Sequence, residues 1–153
     1  MPLRGKVPIL TDWQKLHDVT PEQIMGWDNL FENVGIVCGE ASHNLVVVDF
    51  DGLAAYELYC HRFASLVDTF TIATGSGDGM HVYFKTDKLP ESCGFMNIYG
   101  APDDDKDSWI NIEFKSDGKQ VVIPPSIHPE TLKEYSVFNN APIMHISNLA
   151  GVQ

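Results

Sequence analysis

The sequence predicts an α+β fold, with a mainly antiparallel sheet and flanking helices. Short β-branched and aromatic runs outnumber the segments with helical spacing, and brief polar or glycine-containing links join most of them, as in hairpins. The 153 residues are enough for one domain with a sizeable core, so we assign residues 1–153 to a single domain. Residues 139–153, apolar but without a periodic pattern, are a weakly defined C-terminal tail in this assignment.

Helices are predicted in two stretches. Residues 11–32 are expected to form short helical pieces. One of these begins with Thr20 as the N-cap, Pro21 as the first helical residue and Gln23 as the third, which is the pattern of a capping box. In residues 52–66 the apolar side chains recur three or four positions apart, and this spacing predicts a second helix.

The predicted strands fall into two groups. Residues 34–38 and 45–50 are β-branched runs, and the length of their link, residues 39–44, favours a hairpin with a longer loop. Further along the chain, strands are predicted at residues 70–73, 81–85, 109–115 and 120–123. Residues 116–119 are the expected turn between the last two.

The charge balance limits the kinds of partner. Ten Lys and Arg residues against 21 Asp and Glu residues give a net charge of -11, which opposes long-range attraction to nucleic acid. Part of this charge is local, because the acid-rich residues 103–107 are expected to form a solvated loop. The composition disfavours a protein that wraps nucleic acid by bulk electrostatics, so any contact with nucleic acid must come from a small site or a partner.

Nothing in the sequence predicts export or a membrane. No stretch approaches the roughly 20 apolar residues that cross a bilayer, and no apolar run follows the N-terminal charges as in a signal peptide. The cysteines Cys38, Cys60 and Cys93 are odd in number and widely spaced, so reduced thiols are the simple interpretation. We therefore expect a cytoplasmic protein without a membrane partner.

Asp49 and Asp51 are the leading candidates for a metal site. They end a predicted buried strand, and because side chains alternate along a strand, both project from one face while Phe50 points to the other. Two carboxylates about 7 Å apart repel each other unless a cation lies between them. The alternative is that these acids simply end the strand and cap the helix that follows.

A second acidic candidate is Glu113. Alternation along its predicted strand assigns one face to Trp109, Asn111, Glu113 and Lys115. A carboxylate and a lysine on the same face can each contact a metal-bound triphosphate. The alternative is an ordinary solvent-facing strand with a cross-strand ion pair.

Residues 74–80 form a predicted loop that contains three glycines in five residues. Such a loop lets the backbone approach a ligand closely and offers its amides to an anion. The candidate residues are Ser76, Gly77, Asp78 and Gly79, followed by His81 as a possible donor to a phosphate. The loop is neither a P-loop nor a Rossmann fingerprint, because no Gly-Lys-Ser/Thr follows and the next segment reads as a strand. A flexible hairpin loop with an incidental histidine is the alternative.

A fourth candidate segment follows the last predicted strand. Pro124 and Pro125 stiffen the backbone there, and Ser126 and His128 are the polar groups that the segment presents. Taken alone, the segment is also consistent with a rigid structural turn.

In their order and spacing, these motifs resemble the primase-polymerase (prim-pol) domain of the archaeo-eukaryotic primase superfamily, in the version common in plasmids and viruses. The resemblance covers about residues 5–136. It includes residues 5–8, Trp13, Trp27, residues 33–39, the pair Asp49 and Asp51, the loop ending in His81, the motif Ile112-Glu113, and residues 122–129.

The resemblance implies an RRM-like sheet joined to a small α/β unit, and a nucleotidyltransferase that builds DNA or RNA on a template. By analogy, Asp49, Asp51 and Glu113 are the metal-binding catalytic acids. The resemblance further implies that the incoming triphosphate is held by the backbone of residues 76–79, by His81 and by Lys115. Ser126 and His128 are further candidates for nucleotide binding.

The residue types agree with nucleotidyl transfer. Attack of a 3′-hydroxyl on an α-phosphate develops charge on the entering and leaving oxygens, and two metal ions roughly 3.5–4 Å apart stabilise both. Hard oxygen ligands favour Mg²⁺ or Mn²⁺ over zinc. The expected partners are nucleoside triphosphates, a DNA template that this acidic chain binds weakly by itself, and a separate helicase or replication protein.

Two other functions would use the same residues. A non-catalytic accessory module would keep the nucleotide pocket and serve replication or its regulation. A metal-dependent nuclease would use the same acids to degrade a nucleic-acid strand.

Overall fold

The computed structural model describes residues 1–27, 32–92 and 111–149. In this part of the chain strands are more numerous than helices and most strand pairs are antiparallel, so the predicted α+β class is confirmed. Several predictions fall outside the described residues. These are the acidic loop at residues 103–107, Cys93, and the first two residues of the strand predicted at residues 109–115.

Two α-helices are described, α1 (Pro21–Gly26) and α2 (Leu53–Arg62). The strands, in chain order, are β1 (Pro2–Arg4), β2 (Val7–Pro8), β3 (Asn33–Val37), β4 (Leu45–Asp51), β5 (Thr71–Ala73), β6 (Met80–Thr86), β7 (Asn111–Lys115), β8 (Gln120–Ile123), β9 (Ser136–Asn139) and β10 (Met144–Ile146). Short 3-10 turns lie at Trp13–Lys15, Glu40–Ser42 and Ala64–Leu66.

The capping box at the start of α1 is confirmed. The Thr20 hydroxyl accepts a hydrogen bond from the Gln23 amide at 3.3 Å, and the Gln23 side-chain oxygen accepts one from the Thr20 amide at 2.8 Å. Pro21 occupies the first helical position, where its missing N–H removes no helical hydrogen bond. Two of the otherwise unpaired amides at this helix end are therefore satisfied locally.

The described strands form two sheets. The first has the order β2-β1-β3-β8 and is antiparallel throughout. The second has the order β7-β4-β6-β5-β9, also antiparallel, and β10 adds to it by pairing parallel to β6. Because β6 is seven residues long, β5 pairs with its first part and β10 with its last part along the same edge.

The hairpin predicted for residues 34–38 and 45–50 is wrong. β3 pairs with β1 and β8 in the first sheet, whereas β4 pairs with β6 and β7 in the second. Between the two strands the backbone passes through a 3-10 turn and left-handed conformations at His43 and Asn44, with φ 55° and 56°. This link turns the chain from one sheet into the other, and only an isolated bridge joins Gly39 to Leu45.

The physical reason lies in the burial of β4. Residues 45–48 are buried on both faces of the strand, so β4 needs a long hydrogen-bonded neighbour on each side and an apolar layer above and below. β6 and β7 are these two hydrogen-bonded neighbours.

The predicted turn at residues 116–119 is present, closed by a hydrogen bond from the Lys119 amide to the Ser116 carbonyl at 3.1 Å. Like the link at residues 39–44, this turn leads from one sheet to the other.

The core consists of two apolar clusters, one on each face of the second sheet. On one face, Val46, Val48 and Phe50 of β4 pack with Tyr56 and Tyr59 of α2. The opposite face packs against the first sheet, through Leu45, Val47, Ile72 and Tyr83 on one side and Leu3, Val121 and Val122 on the other. The order of layers is therefore helix, second sheet, first sheet.

Part of the C-terminal segment without a sequence pattern is held by Thr69. Its buried hydroxyl donates to the Tyr83 carbonyl at 2.6 Å and accepts from the Met144 amide at 2.9 Å. These two hydrogen bonds fasten the start of β10 to the edge of β6. Leu149 is then buried in the cluster under α2.

Phe84 provides a test of the layer under α2, because its ring is fully buried there. We expect Phe84→Ala to lower the free energy of unfolding by about 3–5 kcal/mol, the usual cost of a cavity of that size. Urea unfolding followed by circular dichroism measures the change. Phe138→Ala, at a ring that is 58% exposed, is the matched control and should cost clearly less. Equal losses for the two variants would contradict the assigned core.

Candidate active site

A cavity of about 290 Å³ is lined by residues of both sheets. The second sheet contributes residues of β4, β6 and β7, and the first contributes residues of β8. The lining residues are Lys6, Asp49, Phe50, Asp51, Thr74, Ser76, Gly79, His81, Asn111, Glu113, Lys115, Gln120, Val121, Val122, His128 and Tyr135. The cavity thus brings together eight of the eleven predicted site residues: Asp49, Asp51, Ser76, Gly79, His81, Glu113, Lys115 and His128.

The two aspartates reach this cavity because of the alternation along β4. Leu45 and Val47 face the first sheet, and Asp49 and Asp51 continue the same row beyond the apolar layer. Phe50, between them, points to the opposite side and is buried under α2. The Asp49 side chain is partly buried, at 26% exposed, whereas Asp51, two residues further along β4, is exposed.

Asp49 lies between two polar cross-strand neighbours. In the register of the sheet it is opposite His81 of β6 on one side and Glu113 of β7 on the other. The His81 Nε2 atom is 3.4 Å from Asp49 Oδ1, and the Lys115 Nζ atom is 3.5 Å from Asp49 Oδ2. The central carboxylate is therefore contacted by a different potential cation at each oxygen.

These contacts decide the protonation state of Asp49. Burial raises the pKa of its carboxyl, but hydrogen bonding and charge attraction from His81, and then from Lys115, outweigh burial and bring the pKa below its ordinary value. Asp49 is therefore ionised at neutral pH, which is the form that can bind a metal ion.

Glu113 is held by two lysines. The Lys115 Nζ atom lies 2.5 Å from Glu113 Oε2, and Lys119 Nζ lies 3.9 Å from Oε1. The Glu113 and Lys115 side chains are 17% and 18% exposed, and Lys119 is 48% exposed. Lys115 thus lies between the carboxylates of Glu113 and Asp49, on the cavity face of β7.

The donor set is suitable for a hard divalent ion, since Asp49, Asp51 and Glu113 place carboxylates on the wall of one cavity. Within residues 1–27, 32–92 and 111–149, however, no three His, Cys, Asp or Glu side chains are arranged to hold a metal ion. The Lys115 ammonium group lies between Asp49 and Glu113, where a cation shared by the two carboxylates would be expected. The assignment of the three acids as metal ligands stays a prediction.

The glycine loop borders the cavity through Ser76 and Gly79. The Gly79 amide donates to the Ser76 hydroxyl at 3.2 Å, and that hydroxyl is 2.7 Å from the Thr74 hydroxyl. A Cβ atom at Gly79 would lie 2.5 Å from Thr74 Oγ1 and 3.0 Å from the Phe50 carbonyl oxygen, so only glycine fits. The loop is held tightly against the end of β4.

Gly77 and Asp78 do not line the cavity. The Gly77 amide donates to the Thr74 carbonyl at 3.2 Å, and a Cβ atom at Gly77 would meet the Lys133 ammonium group. Asp78 is exposed and accepts from the Ser76 hydroxyl at 3.3 Å. Their assignment to nucleotide binding stays a prediction.

The segment after β8 contributes His128 to the cavity. Its Nδ1 atom accepts hydrogen bonds from the amides of Glu130 and Thr131, both at 3.3 Å, so the neutral ring carries its proton on Nε2. Burial, together with the charge of Lys6, lowers the pKa of His128, and Glu130 opposes this shift only partly. His128 is therefore neutral at pH 7 and can offer one N–H to a ligand.

Ser126 has a structural role in the described residues. Its hydroxyl accepts from the Val34 amide at 2.9 Å and donates to the Val34 carbonyl at 3.2 Å, so it joins the end of β8 to β3. The side chain is buried and does not line the cavity. Its assignment to nucleotide binding stays a prediction without support from this geometry.

A comparison with protein families gives a match that covers nearly the whole chain. The family described as "bifunctional DNA primase/polymerase, N-terminal" (Prim-Pol) matches residues 1–149. The chain belongs to the Prim-Pol family. A search of curated proteins gave no match. The resemblance in the motifs is thereby confirmed, and the plasmid or viral subtype stays a prediction.

Five polar residues of this Prim-Pol cavity were not predicted as site residues: Lys6, Thr74, Asn111, Gln120 and Tyr135. Asn111 could have been found, because alternation places it on the same strand face as Glu113. Tyr135 carries no sequence signal, since its position depends on ring contacts with His128 and His81, at centroid distances of 6.1 and 6.2 Å. Burial raises the pKa of Tyr135 to about 12, so its hydroxyl stays protonated.

None of the helices that the structure describes is long and apolar enough to span a membrane.

The lowered pKa of Asp49 predicts a pH-dependent contribution to stability. The folded-state pKa lies below the unfolded value of about 3.9, so the contribution is complete above that pH and disappears as the pH falls through the folded-state pKa. We expect Asp49→Asn to be less stable than the parent at pH 7 and the difference to shrink below about pH 4. Urea unfolding between pH 3 and 7 measures it.

Asp51→Asn, at the exposed neighbouring carboxylate, is the control and should change stability by less than about 0.5 kcal/mol over the same range. A stability difference for Asp49→Asn that stays constant down to pH 3 would show that the ion pairs do not stabilise the fold.

Proposed function

We propose that the chain is a DNA primase/polymerase-type nucleotidyltransferase that uses two divalent metal ions to add nucleoside triphosphates to a primer or start strand on a DNA template. One observation supports this above the others. Asp49, Asp51 and Glu113, from two neighbouring strands, line one cavity together with the phosphate-binding candidates Lys115 and His81. Family membership makes this chemistry the expected one.

In this proposal Asp49, Asp51 and Glu113 hold Mg²⁺ or Mn²⁺. When bound, the ions would stabilise the charge that develops on the oxygens around the α-phosphate. The chain's own task is to position the reactants and to provide fixed charges, since no nucleophilic side chain is needed. Asp49 suits this role because its pKa is lowered, so it carries its charge at neutral pH.

The triphosphate would be bound by donors on the other walls of the cavity. Ser76 offers a hydroxyl, His81 and His128 offer ring nitrogens, and Lys6 and Lys115 offer ammonium groups. His81 Nδ1 is buried and has no hydrogen-bond partner among the described residues, which suggests a partner that a ligand or water supplies. Ser76 and Gly79 would also define how closely the phosphates approach the backbone.

Template binding would depend on few positive charges. The net charge of -11 gives the surface as a whole an unfavourable potential for DNA. Among the described residues, Lys6 and Lys115 line the cavity, and Lys119 approaches Glu113 at its wall. We infer that the chain holds its template weakly and that a second replication protein, such as a helicase, increases its occupancy.

A primer-extension assay with Mn²⁺ or Mg²⁺ tests the proposal. We expect the parent to extend a primer and Asp49→Ala/Asp51→Ala to lose at least about 10³-fold of the rate, because the double substitution removes the main ligands for the ions. Glu57→Ala/Glu91→Ala is the matched control, since it removes two exposed carboxylates that do not line the cavity. Extension by the Asp49→Ala/Asp51→Ala variant at the parental rate would rule out the metal assignment.

A non-catalytic nucleotide-binding accessory module is the second candidate. The contact of Lys115 with Glu113 and Asp49 favours it, because a permanent ion pair there would keep metal ions out. Calorimetry with a nucleoside triphosphate and Mn²⁺, beside the extension assay, separates the two candidates. Binding without product would support the accessory module, whereas binding with product would support the enzyme.

A further inference from the structure

We propose that Lys115 acts as an internal counter-cation, which neutralises Asp49 and Glu113 in the metal-free protein and is displaced when a divalent ion binds. This inference rests on the proposed metal-dependent function. It adds that metal binding and the position of one lysine are coupled, so that the ion must compete with the protein's own ammonium group.

The need for a cation follows from the register of the sheet. Asp49 and Glu113 are direct cross-strand neighbours, and their side chains are only 26% and 17% exposed. Like charges directly opposite each other in a sheet are destabilising, and partial burial reduces the screening by water. The Lys115 Nζ atom, 2.5 Å from Glu113 Oε2 and 3.5 Å from Asp49 Oδ2, relieves this repulsion.

No other described group has this arrangement toward both carboxylates. His81 contacts Asp49 on its other oxygen, on the side away from β7. Lys119 approaches only Glu113, at 3.9 Å, and is 48% exposed. Lys115 is thus distinguished from His81 and Lys119 by its contact with both acids, and from Lys119 also by its burial.

A divalent ion and the ammonium group cannot share this space. At a separation of about 4 Å, a doubly charged ion repels an ammonium group strongly even at the effective dielectric constant of a protein surface. Lys115 is the last residue of β7, and its flexible four-carbon stem lets the ammonium group move without a change in the strand. The group can then contact an anion elsewhere in the cavity, so ion binding would free a cation for the triphosphate.

Metal affinity of a charge-deleting variant tests the competition. The probe is Mn²⁺ alone, with the unbound ion followed by electron paramagnetic resonance. We expect Lys115→Met to bind Mn²⁺ about tenfold more tightly than the parent, since the competing charge is gone. Lys119→Met is the matched control, and an exposed lysine should change the affinity by less than about twofold.

A second measurement uses the unmodified protein and so does not depend on the folding of a variant. Lys115, 18% exposed and paired with two carboxylates, should react slowly with an amine-acylating reagent. Saturating Mn²⁺ should increase its labelling, read residue by residue by mass spectrometry, about tenfold while Lys119 changes little.

The outcomes separate this inference from the proposed function. If the parent binds Mn²⁺ and Lys115→Met binds it equally or more weakly, the counter-cation role is overturned and the metal site stands. The same conclusion follows if the parent binds Mn²⁺ and the ion does not change the labelling of Lys115. If neither protein binds Mn²⁺, both the metal site and the role of Lys115 are overturned. Tighter binding by the variant together with released labelling supports the inference.

Discussion

Two-sided burial of β4 is the constraint on which the rest of the structure depends. Val48 and Phe50 face the layer under α2, and Val47 faces the first sheet. Because side chains alternate along the strand, Asp49 and Asp51 lie on the same face as Val47 and reach the cavity at the edge of the layer between the sheets. A register shift of one residue would turn both carboxylates into the apolar cluster under α2. The packing of the hydrophobic core therefore sets the direction of the two carboxylates, and no additional backbone feature is needed to place them at the site.

Electrostatic contacts stabilise the carboxylates that alternation along β4 places at the cavity. A row of carboxylates at the edge of a partly buried layer is unstable by itself, and the neighbouring strands supply compensation from both sides. His81 of β6 contacts one oxygen of Asp49, and Lys115 of β7 contacts the other while also holding Glu113. In the proposed function, the groups that stabilise the free protein are the same ones that contact the metal ions and the triphosphate.

The first sheet and its loops close the cavity. The chain crosses between the sheets at residues 39–44 and again at residues 116–119, and the two crossings touch, because the Asp117 carboxylate accepts from the Glu40 amide at 2.8 Å. The segment after β8 then brings Tyr135 beside His81, and the Tyr135 ring also contacts His128. A cleft between two sheets is thus built from chain segments that are distant in sequence.

The sequence by itself determined the local features of this protein: the capping box at Thr20, the strand of Asp49 and its face, the glycine loop before His81, and the Prim-Pol motifs. Each of these depends on neighbours a few residues away, or on a pattern that the family shares. Only the tertiary structure decided that β3 and β4, the strands on either side of residues 39–44, enter different sheets. A hairpin between β3 and β4 and their separation into two sheets are both compatible with the same two β-branched runs and the same link. It also decided the position of Tyr135 and the contact of Lys115 with Asp49, since cross-strand and inter-sheet contacts leave no periodic signal along the chain.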